Sequence, residues 1–564
     1  MSNEVEPPSQ VRIEWTHNHD WSVLEHTYED DFLHSMSEQY QSLLTNYAGN
    51  NNHEMVLRHQ LNYNQGLAHD AVVNAVLQDY GESRTDGGNG IGRLQILLGQ
   101  GGGGKSFTIN SIITTLIQQH SFDQKNYRLC ATTGKAATVI NGSTVHSVKE
   151  GMALPVGRTR YKDLQGIQLR EAQERYADLK LLVIDEFTML RQKELYYIDE
   201  RLKQIKCNTS PFGGIVVLLV GDPAQLPPVQ GDPLWAENPK GDHNMIGYGL
   251  FQLFDTVVEL VENNRLDRTD PRAVEFYEFL QRLRDGKNTH EDWVLLREQC
   301  SRYSKGFNRW REEGFDSPDC VHLYCTNSEV QKHNAECITK LEKPIAYIHA
   351  KHTGNGHKYG TEPAHGLESS MYLSVGSRVL MTNNVCQRAG LCNGSTGTVK
   401  EIVYSAGSGE HDLPLFVLVD FGRNYTGPSF FPRDQTRAGW VPVHPIKATW
   451  YSPPSTVGGN CEENTRTMLP LRLCWAWTVW KAQGQTIRGK VSISLGRGEK
   501  EHGLTYVAMS RVTRFSDIGL YDGITKNRLC TSIQNHKKMK PRIQAEQRLR
   551  LLFERTKQFI ENNF

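Results

Sequence analysis

Apolar residues along this chain fall into short runs that alternate with helical stripes. RLQILLG (93–99) is an apolar run of strand length. After a four-glycine stretch, Ile109, Ile112, Ile113, Leu116 and Ile117 recur at i, i+3, i+4, i+7 and i+8, the stripe of an amphipathic helix. Further strand-like runs at 127–131, 179–184, 215–220 and 257–261 are separated by helical or loop material. That alternation predicts an α/β domain with a parallel sheet. From about 373 to 473 the texture changes: SRVLMTNNV, GSTGTVKEIVY, LPLFVLVDFG and GWVPVHPIKATW read as short strands joined by Gly, Pro and Asn turns. This predicts a small β-barrel inserted into the α/β unit, which resumes at 490–495.

Composition changes that picture little. The 564 residues are 38% hydrophobic and 22% charged, and no stretch reaches the about eighteen apolar residues needed to cross a bilayer, so no membrane partner is expected. The opening MSNEVEPPSQ lacks a basic segment followed by an apolar run, so no secretory signal is expected. Eleven cysteines without a CxxC pair argue against a disulfide framework and a zinc site, and place the chain in an intracellular, reducing compartment. Lys plus Arg equals Asp plus Glu at 63 each, so net charge implies no partner. Its distribution is uneven: residues 1–40 hold nine acidic residues and one Arg, whereas 526–557 holds ten Lys or Arg, read as a solvated helix face or a phosphate-touching tail.

The chemistry begins at the glycines. Gly99, Gly104, Lys105 and Ser106 fit G-x-x-x-x-G-K-[ST], with a strand before and a helix after. Backbone N–H groups through Gly101, Gly102 and Gly103 can wrap a phosphate, Lys105 can reach its oxygens, and the Ser106 hydroxyl can bind Mg²⁺. LLVIDEF supplies the carboxylates such a loop needs: Asp185 for Mg²⁺ and Glu186 to orient and deprotonate water. Neighbouring residues of a strand point to opposite faces, so only a strand end lets both serve one site. In LLVGDPAQLPPV, Gln225 follows another strand end and can read a γ-phosphate, and Gln65, ahead of the first strand, can pair with an adenine edge.

In this order the motifs resemble the Pif-type (petite-integration-frequency) family of superfamily-one 5′ to 3′ DNA helicases, with RecD-like enzymes close by. The resemblance spans roughly residues 60–525 and rests also on CATTGKAATVINGSTVHSV, ENNRL, TVWKAQGQTI and YVAMSRVTR. It implies a P-loop NTPase with two tandem RecA-like domains and an inserted SH3-like β-barrel. It makes Arg265 and Arg511 the guanidiniums that meet the γ-phosphate, a role suited to a planar, permanently charged fork. It adds Phe107 and Gly484 to the nucleotide site. It assigns Thr132, Lys135, Thr144 and His146 to single-stranded DNA in the first domain, and Asn327, Lys481, Gln483 and Thr486 in the second. Two departures from the family are Gly103, where Thr or Ser is usual, and Trp480, where His is usual.

The boundaries that follow are an acidic extension over 1–55, a first RecA-like domain over 56–256 with a wedge-like insert about 147–178, and a second over 257–372 plus 474–530. The barrel occupies 373–473 and a basic C-terminal helix or tail 531–564. The implied function is an ATP- and Mg²⁺-dependent helicase that moves on single-stranded DNA and unwinds duplex or structured DNA in replication, repair, recombination or telomere maintenance, active as a monomer and nuclear in a eukaryote. Alternatives are a translocase or remodeller with the same motor, a nucleotide-dependent switch, and the helicase module of a transposon-like or viral replication protein.

Overall fold

The computed structural model describes residues 30–48, 55–78, 92–147, 152, 154, 161–228, 231–263, 269–361, 364–386, 389–405, 408, 411–452, 462–484, 486–487 and 489–563. These divide into two compact units, one comprising 51–317 and 479–564, the other 1–50 and 318–478.

Helix α1 (Asp30–Ala48) belongs to the second of these units; the first unit opens with α2 (Tyr63–Leu77) and is built on a six-stranded sheet. Its elements are β1 (Leu94–Gly99), α3 (Lys105–His120), β2 (Tyr127–Ala131), α4 (Gly134–Val139), β3 (Ser143–Thr144), α5 (Gly166–Tyr176), β4 (Leu181–Asp185), α6 (Gln192–Lys206), β5 (Val216–Gly221), α7 (Asp242–Gln252) and β6 (Thr256–Leu260). The strand order is β3-β2-β4-β5-β1-β6, parallel throughout. Strands β1, β4 and β5 are buried along their whole length, as continuous apolar runs in a sheet covered on both faces require. The α3 stripe packs as its period predicts, with Ile109, Ile112, Ile113 and Leu116 fully buried, whereas Ile117 at its edge is exposed. Strand β6 bonds to β1, so the P-loop sheet continues past the boundary at 256 drawn from the sequence. The unit proceeds through α8 (Pro271–Arg284), α9 (His290–Cys300) and α10 (Arg302–Glu312).

The other unit holds β7 (Val321–Tyr324), α11 (Asn327–Thr339), β8 (Ile345–His349), β9 (Lys351–Thr353), β10 (Ser370–Ser374), β11 (Arg378–Met381), β12 (Thr396–Val403), β13 (Phe416–Asp420), β14 (Trp440–Val443), β15 (Ile446–Ser452), β16 (Glu462–Met468), β17 (Leu471–Leu473) and β18 (Ala476–Thr478). Its all-β part consists of an antiparallel five-stranded sheet, β14-β13-β12-β11-β17, and a three-stranded one, β15-β16-β9. Helix α1 lays Leu33, Met36, Tyr40 and Leu43 into the same core, with the Tyr40 ring 4.6 Å from that of His444. The described part of the acidic extension is therefore a helix packed on the β insertion.

The chain returns to the first unit with α12 (Val479–Ala482), β19 (Val491–Ser494), α13 (Leu504–Met509), β20 (Ile518–Leu520) and α14 (Met539–Asn563). Helix α14 buries Leu549, Phe553 and Ile560 in the core beneath the P-loop sheet, so the basic C-terminal segment is a packed helix. Of the expected wedge insert, 148–151, 153 and 155–160 lie outside the described residues. Tyr161 stacks on Tyr197 at 4.9 Å, and Lys162 O accepts a hydrogen bond from Arg201, so the middle of the insert is fastened to α6.

Candidate active site

The glycine loop joins β1 to α3, and only two of its glycines are conformationally required. Gly102 and Gly104 have φ of 95° and 85°, the left-handed region that penalises a Cβ. A Cβ on Gly101 would meet nothing within 4 Å, and one on Gly103 would lie 3.3 Å from Gln100 O. The departure at Gly103 is therefore not imposed by the turn. Lys105 Nζ donates to Gly99 O at 2.7 Å and Gln100 O at 3.2 Å, which holds the ammonium inside the loop. Ser106 and Phe107 follow on the first turn of α3, both half-buried. Gln65 Nε2 donates to Gly103 O at 3.3 Å while its Oε1 accepts from Asn62 N in the cap of α2. Its amide thus braces the loop, and adenine pairing would require exchanging those bonds.

Strand β4 ends at Asp185, and Glu186 takes φ 54°, ψ 43°. A glutamate in that region is strained, and the turn breaks strand alternation at the residue where both carboxylates must serve one place. Both are buried, at 5% and 7% exposure. Burial, then the Glu186 charge, push Asp185 up to about 7, against the opposing pull of Lys105 and the Glu186 N–H. A divalent cation would reverse that shift. The hydroxyl of Ser106 and the carboxylate of Asp185 suit Mg²⁺, which takes hard oxygen donors and completes its shell with phosphates and water.

One loop from the C-terminal segment meets this pair. Gln483 Nε2 lies 3.5 Å from Glu186 Oε2, and a Cβ on Gly484 would sit 3.8 Å from Glu186 Oε1. Gln483, assigned to DNA by the resemblance, is buried at 8% exposure against Glu186. Lys481 and Thr486 on either side are exposed. Thr132 donates its hydroxyl to Glu186 O at 3.0 Å and its N–H to Asp185 O, so it ties β2 to the carboxylate turn. Thr144 is on β3, and His146 follows half-buried, with Nδ1 buried and unbonded. Lys135 lies on α4. Asn327 is exposed at the start of α11 in the other unit. Trp480 is half-buried on α12.

Arg511 is buried, with Nε on Val507 O at 2.7 Å, Nη1 on Ala482 O at 3.3 Å and Nη2 on Ser510 Oγ at 2.7 Å. Its guanidinium braces α13 against α12. Arg265 lies outside the described residues. Gln225 is buried, with Oε1 unbonded, in the turn that follows β5. The start of α13 packs against this turn: Gly503 has φ 79°, and a Cβ there would lie 2.6 Å from Ala224 O.

Sequence reasoning missed the groups behind that turn. Asp222 Oδ1 accepts from Arg284 Nη2 at 3.0 Å and from Ala224 N at 3.1 Å, while Oδ2 accepts from Tyr506 Oη at 3.4 Å. Burial alone would raise Asp222, but Arg284, then Lys105 and the Ala224 N–H, outweigh it and hold the carboxyl below its ordinary value. No local pattern marks the pairing of Arg284 with Asp222 and Glu546, because these partners are distant in sequence.

A parallel sheet with a phosphate-type glycine loop on one strand and a buried carboxylate pair at the end of another define a P-loop α/β fold of the RecA-like class. Residues 60–293 match the family model for PIF1-like helicases. The chain is 26% identical over 455 residues to the ATP-dependent DNA helicase PIF1 of Danio rerio, covering 80% of this chain and 60% of that relative's length. The crystal structure of Pif1 helicase from Candida albicans matches with a TM-score of 0.63 at 22% identity, covering 86% of this chain and 99% of that one. Pif1 helicase from Bacteroides in complex with ADP-AlF3 and ssDNA matches with a TM-score of 0.55 at 22% identity, covering 82% and 93%. The fold is that of the Pif1 helicases.

Proposed function

We propose that this chain is an ATP-dependent DNA helicase that moves 5′ to 3′ along single-stranded DNA and opens duplex or structured DNA ahead of it, acting as a monomer. The observation that carries the reading is the meeting at Glu186, where a strained carboxylate beside the P-loop sheet faces Gln483 and Gly484. An ATP-hydrolysing site answerable to a second element is built in this way, the names of the Pif1 relatives support a DNA substrate, and the 5′ to 3′ direction rests on the resemblance of the motifs.

In this reading Lys105 leaves Gly99 O and Gln100 O for phosphate oxygens, and Glu186 aligns water and accepts its proton. Ser106 and Asp185 would hold Mg²⁺, which would supply charge neutralisation at the phosphates. Gln225, in the turn after β5, reads the γ-phosphate and reports hydrolysis to the neighbouring loop. Arg511 exchanges its carbonyl partners for developing negative charge, with Arg265 as the second cation. Thr144, His146, Lys135, Lys481, Thr486 and Asn327 face the DNA backbone, where hydroxyls, amides and cations hold phosphates without reading sequence. We read the five-stranded sheet and its neighbour as an SH3-like barrel.

Displacement of a labelled strand from 5′-tailed and 3′-tailed duplexes tests the proposal. Unwinding of the 5′-tailed substrate, dependent on ATP and lost in Lys105→Ala, is expected. DNA-stimulated ATP turnover with no displaced strand would reduce the function to translocation.

A further inference from the structure

Behind the nucleotide loops, four charged side chains are buried together: Arg284, Arg542, Asp222 and Glu546, at 6%, 0%, 1% and 6% exposure. Arg284 Nη2 bridges Asp222 Oδ1 at 3.0 Å and Glu546 Oε1 at 2.6 Å, and Nη1 reaches Glu546 Oε2 at 3.2 Å. Arg542 Nη1 donates to the same Glu546 Oε1 at 2.9 Å, and its Nη2 donates to the backbone carbonyl of Arg284 at 2.9 Å. Two positive and two negative charges balance, so each desolvated ion has an opposite partner. The cluster joins the end of β5, the last turn of α8 and the first half of α14.

Helix α8 touches a second nucleotide loop. Gln281, three residues before Arg284 and so on the same face, exchanges amide hydrogen bonds with Gln100 of the glycine loop at 2.8 and 2.6 Å. Gly99, Gln100, Asp222, Arg284 and Glu546 line one recess. One helical turn therefore contacts both the phosphate loop and the turn bearing Gln225, and α14 holds that turn in place. At its C-terminal end, Gly286 has φ 67°, where a Cβ would lie 2.9 Å from Met539 Cε. That approach also fixes α8 against the start of α14.

We propose that Arg284 is a positioning residue for the turn Asp222–Gln225, and that the C-terminal helix, through Glu546 and Arg542, sets its aim. Arg284 touches no reacting atom. It acts through Asp222, whose carboxylate receives the Ala224 N–H and so shapes the turn that presents Gln225. The permanently charged, planar fork is needed because it serves Asp222 and Glu546 simultaneously, which a lysine point charge cannot do. This inference rests on the ATP-hydrolysis reading, and its test is arranged to separate the two.

The variants are Glu546→Gln, which keeps shape and removes charge, Glu546→Asp, which keeps charge, and Arg284→Lys, each made in the full chain. For Glu546→Gln, kcat for ATP should fall about tenfold with KM for ATP unchanged, since the defect is misalignment rather than lost binding. Glu546→Asp should recover most of that loss, and Arg284→Lys should not recover the wild-type rate despite its charge. In parallel, amide hydrogen exchange is followed at Ala224 and Gln225, whose N–H groups bond Asp222 Oδ1 and Asp222 O. Both amides should exchange at least about tenfold faster in Glu546→Gln while those of β5 hold their wild-type rates. Unchanged exchange at these amides overturns the proposal whether or not the wild-type chain turns over ATP. Faster exchange with unchanged kcat overturns it too. A wild-type chain without ATP turnover refutes the functional reading instead. If Glu546→Gln does not fold, the same measurements on Glu546→Asp and Arg284→Lys decide: wild-type kcat and exchange in Arg284→Lys overturn the proposal.

Discussion

The ends of β4 and β5 lie side by side in one sheet, β4 closing on buried Asp185 and β5 followed at once by buried Asp222, and the two aspartates are electrostatic opposites. Asp185 is pushed up to about 7 by burial and the neighbouring Glu186 charge. Asp222 is held below its ordinary value, because Arg284 faces it at 3.0 Å and outweighs the same burial penalty. Asp185 is thus a destabilised group kept for chemistry, and Asp222 a satisfied group kept for shape. Strand geometry alone does not distinguish them; the partners do.

The largest expected effect breaks the first half of that comparison. Asp185→Asn should lower ATP turnover at least about 100-fold and leave thermal stability unchanged or higher, since a neutral amide relieves an unfavourable buried charge. Steady-state ATPase assays and calorimetry check both parts; lower stability would show that the carboxylate is a structural partner. Asp222→Asn should behave oppositely, with stability reduced by about 2 kcal/mol because Arg284 loses a charged acceptor. Urea unfolding gives that figure, and a loss below about 0.5 kcal/mol would remove the distinction between the two strand ends.

A smaller effect concerns pH. Burial lowers His502 beside the Arg284 cluster to about 3, and likewise lowers His322 to about 3 and His444 to about 4 in the other unit. Each binds fewer protons folded than unfolded between those values and its ordinary 6.5. Stability from this source is therefore complete above 6.5 and falls as the pH drops through that window. Asp185, raised to about 7, contributes the opposite slope in the unit carrying the P-loop, so the decline is read in Asp185→Asn, where urea midpoints at pH 7.5 and about 5 should show it and adding His502→Gln should flatten it for that unit. The smallest effect lies in the glycine loop. Gly102→Ala should cost about 1 kcal/mol through its positive φ, whereas Gly101→Ala, with open space for a Cβ, should not destabilise. Equal melting temperatures for the two variants would contradict the assigned backbone.

Much of the site was legible because its parts are local. Gly104, Lys105 and Ser106 sit between strand and helix signals that a short window contains, and Asp185 and Glu186 follow an apolar run that can only be a buried strand. Legibility failed where a residue's role depends on a distant partner. The resemblance assigned Gln483 to DNA; folding places it against Glu186, nearly three hundred positions earlier. Thr132 read as a phosphate contact, yet its hydroxyl bonds Glu186 O. The basic C-terminal segment read as a solvated face or tail, because charge counts cannot show that Arg542 is wholly buried against Glu546.

By itself the sequence determined the local geometry of phosphate binding: the strand, turn and helix follow from apolar period, glycine freedom and a lysine at fixed spacing, all short-range properties of the chain. Tertiary structure alone decided which buried charges are satisfied. A carboxylate's protonation and rigidity depend on what lies within a few ångströms in space. For Asp222 that neighbour is Arg284, clamped by a helix more than three hundred residues further along the chain.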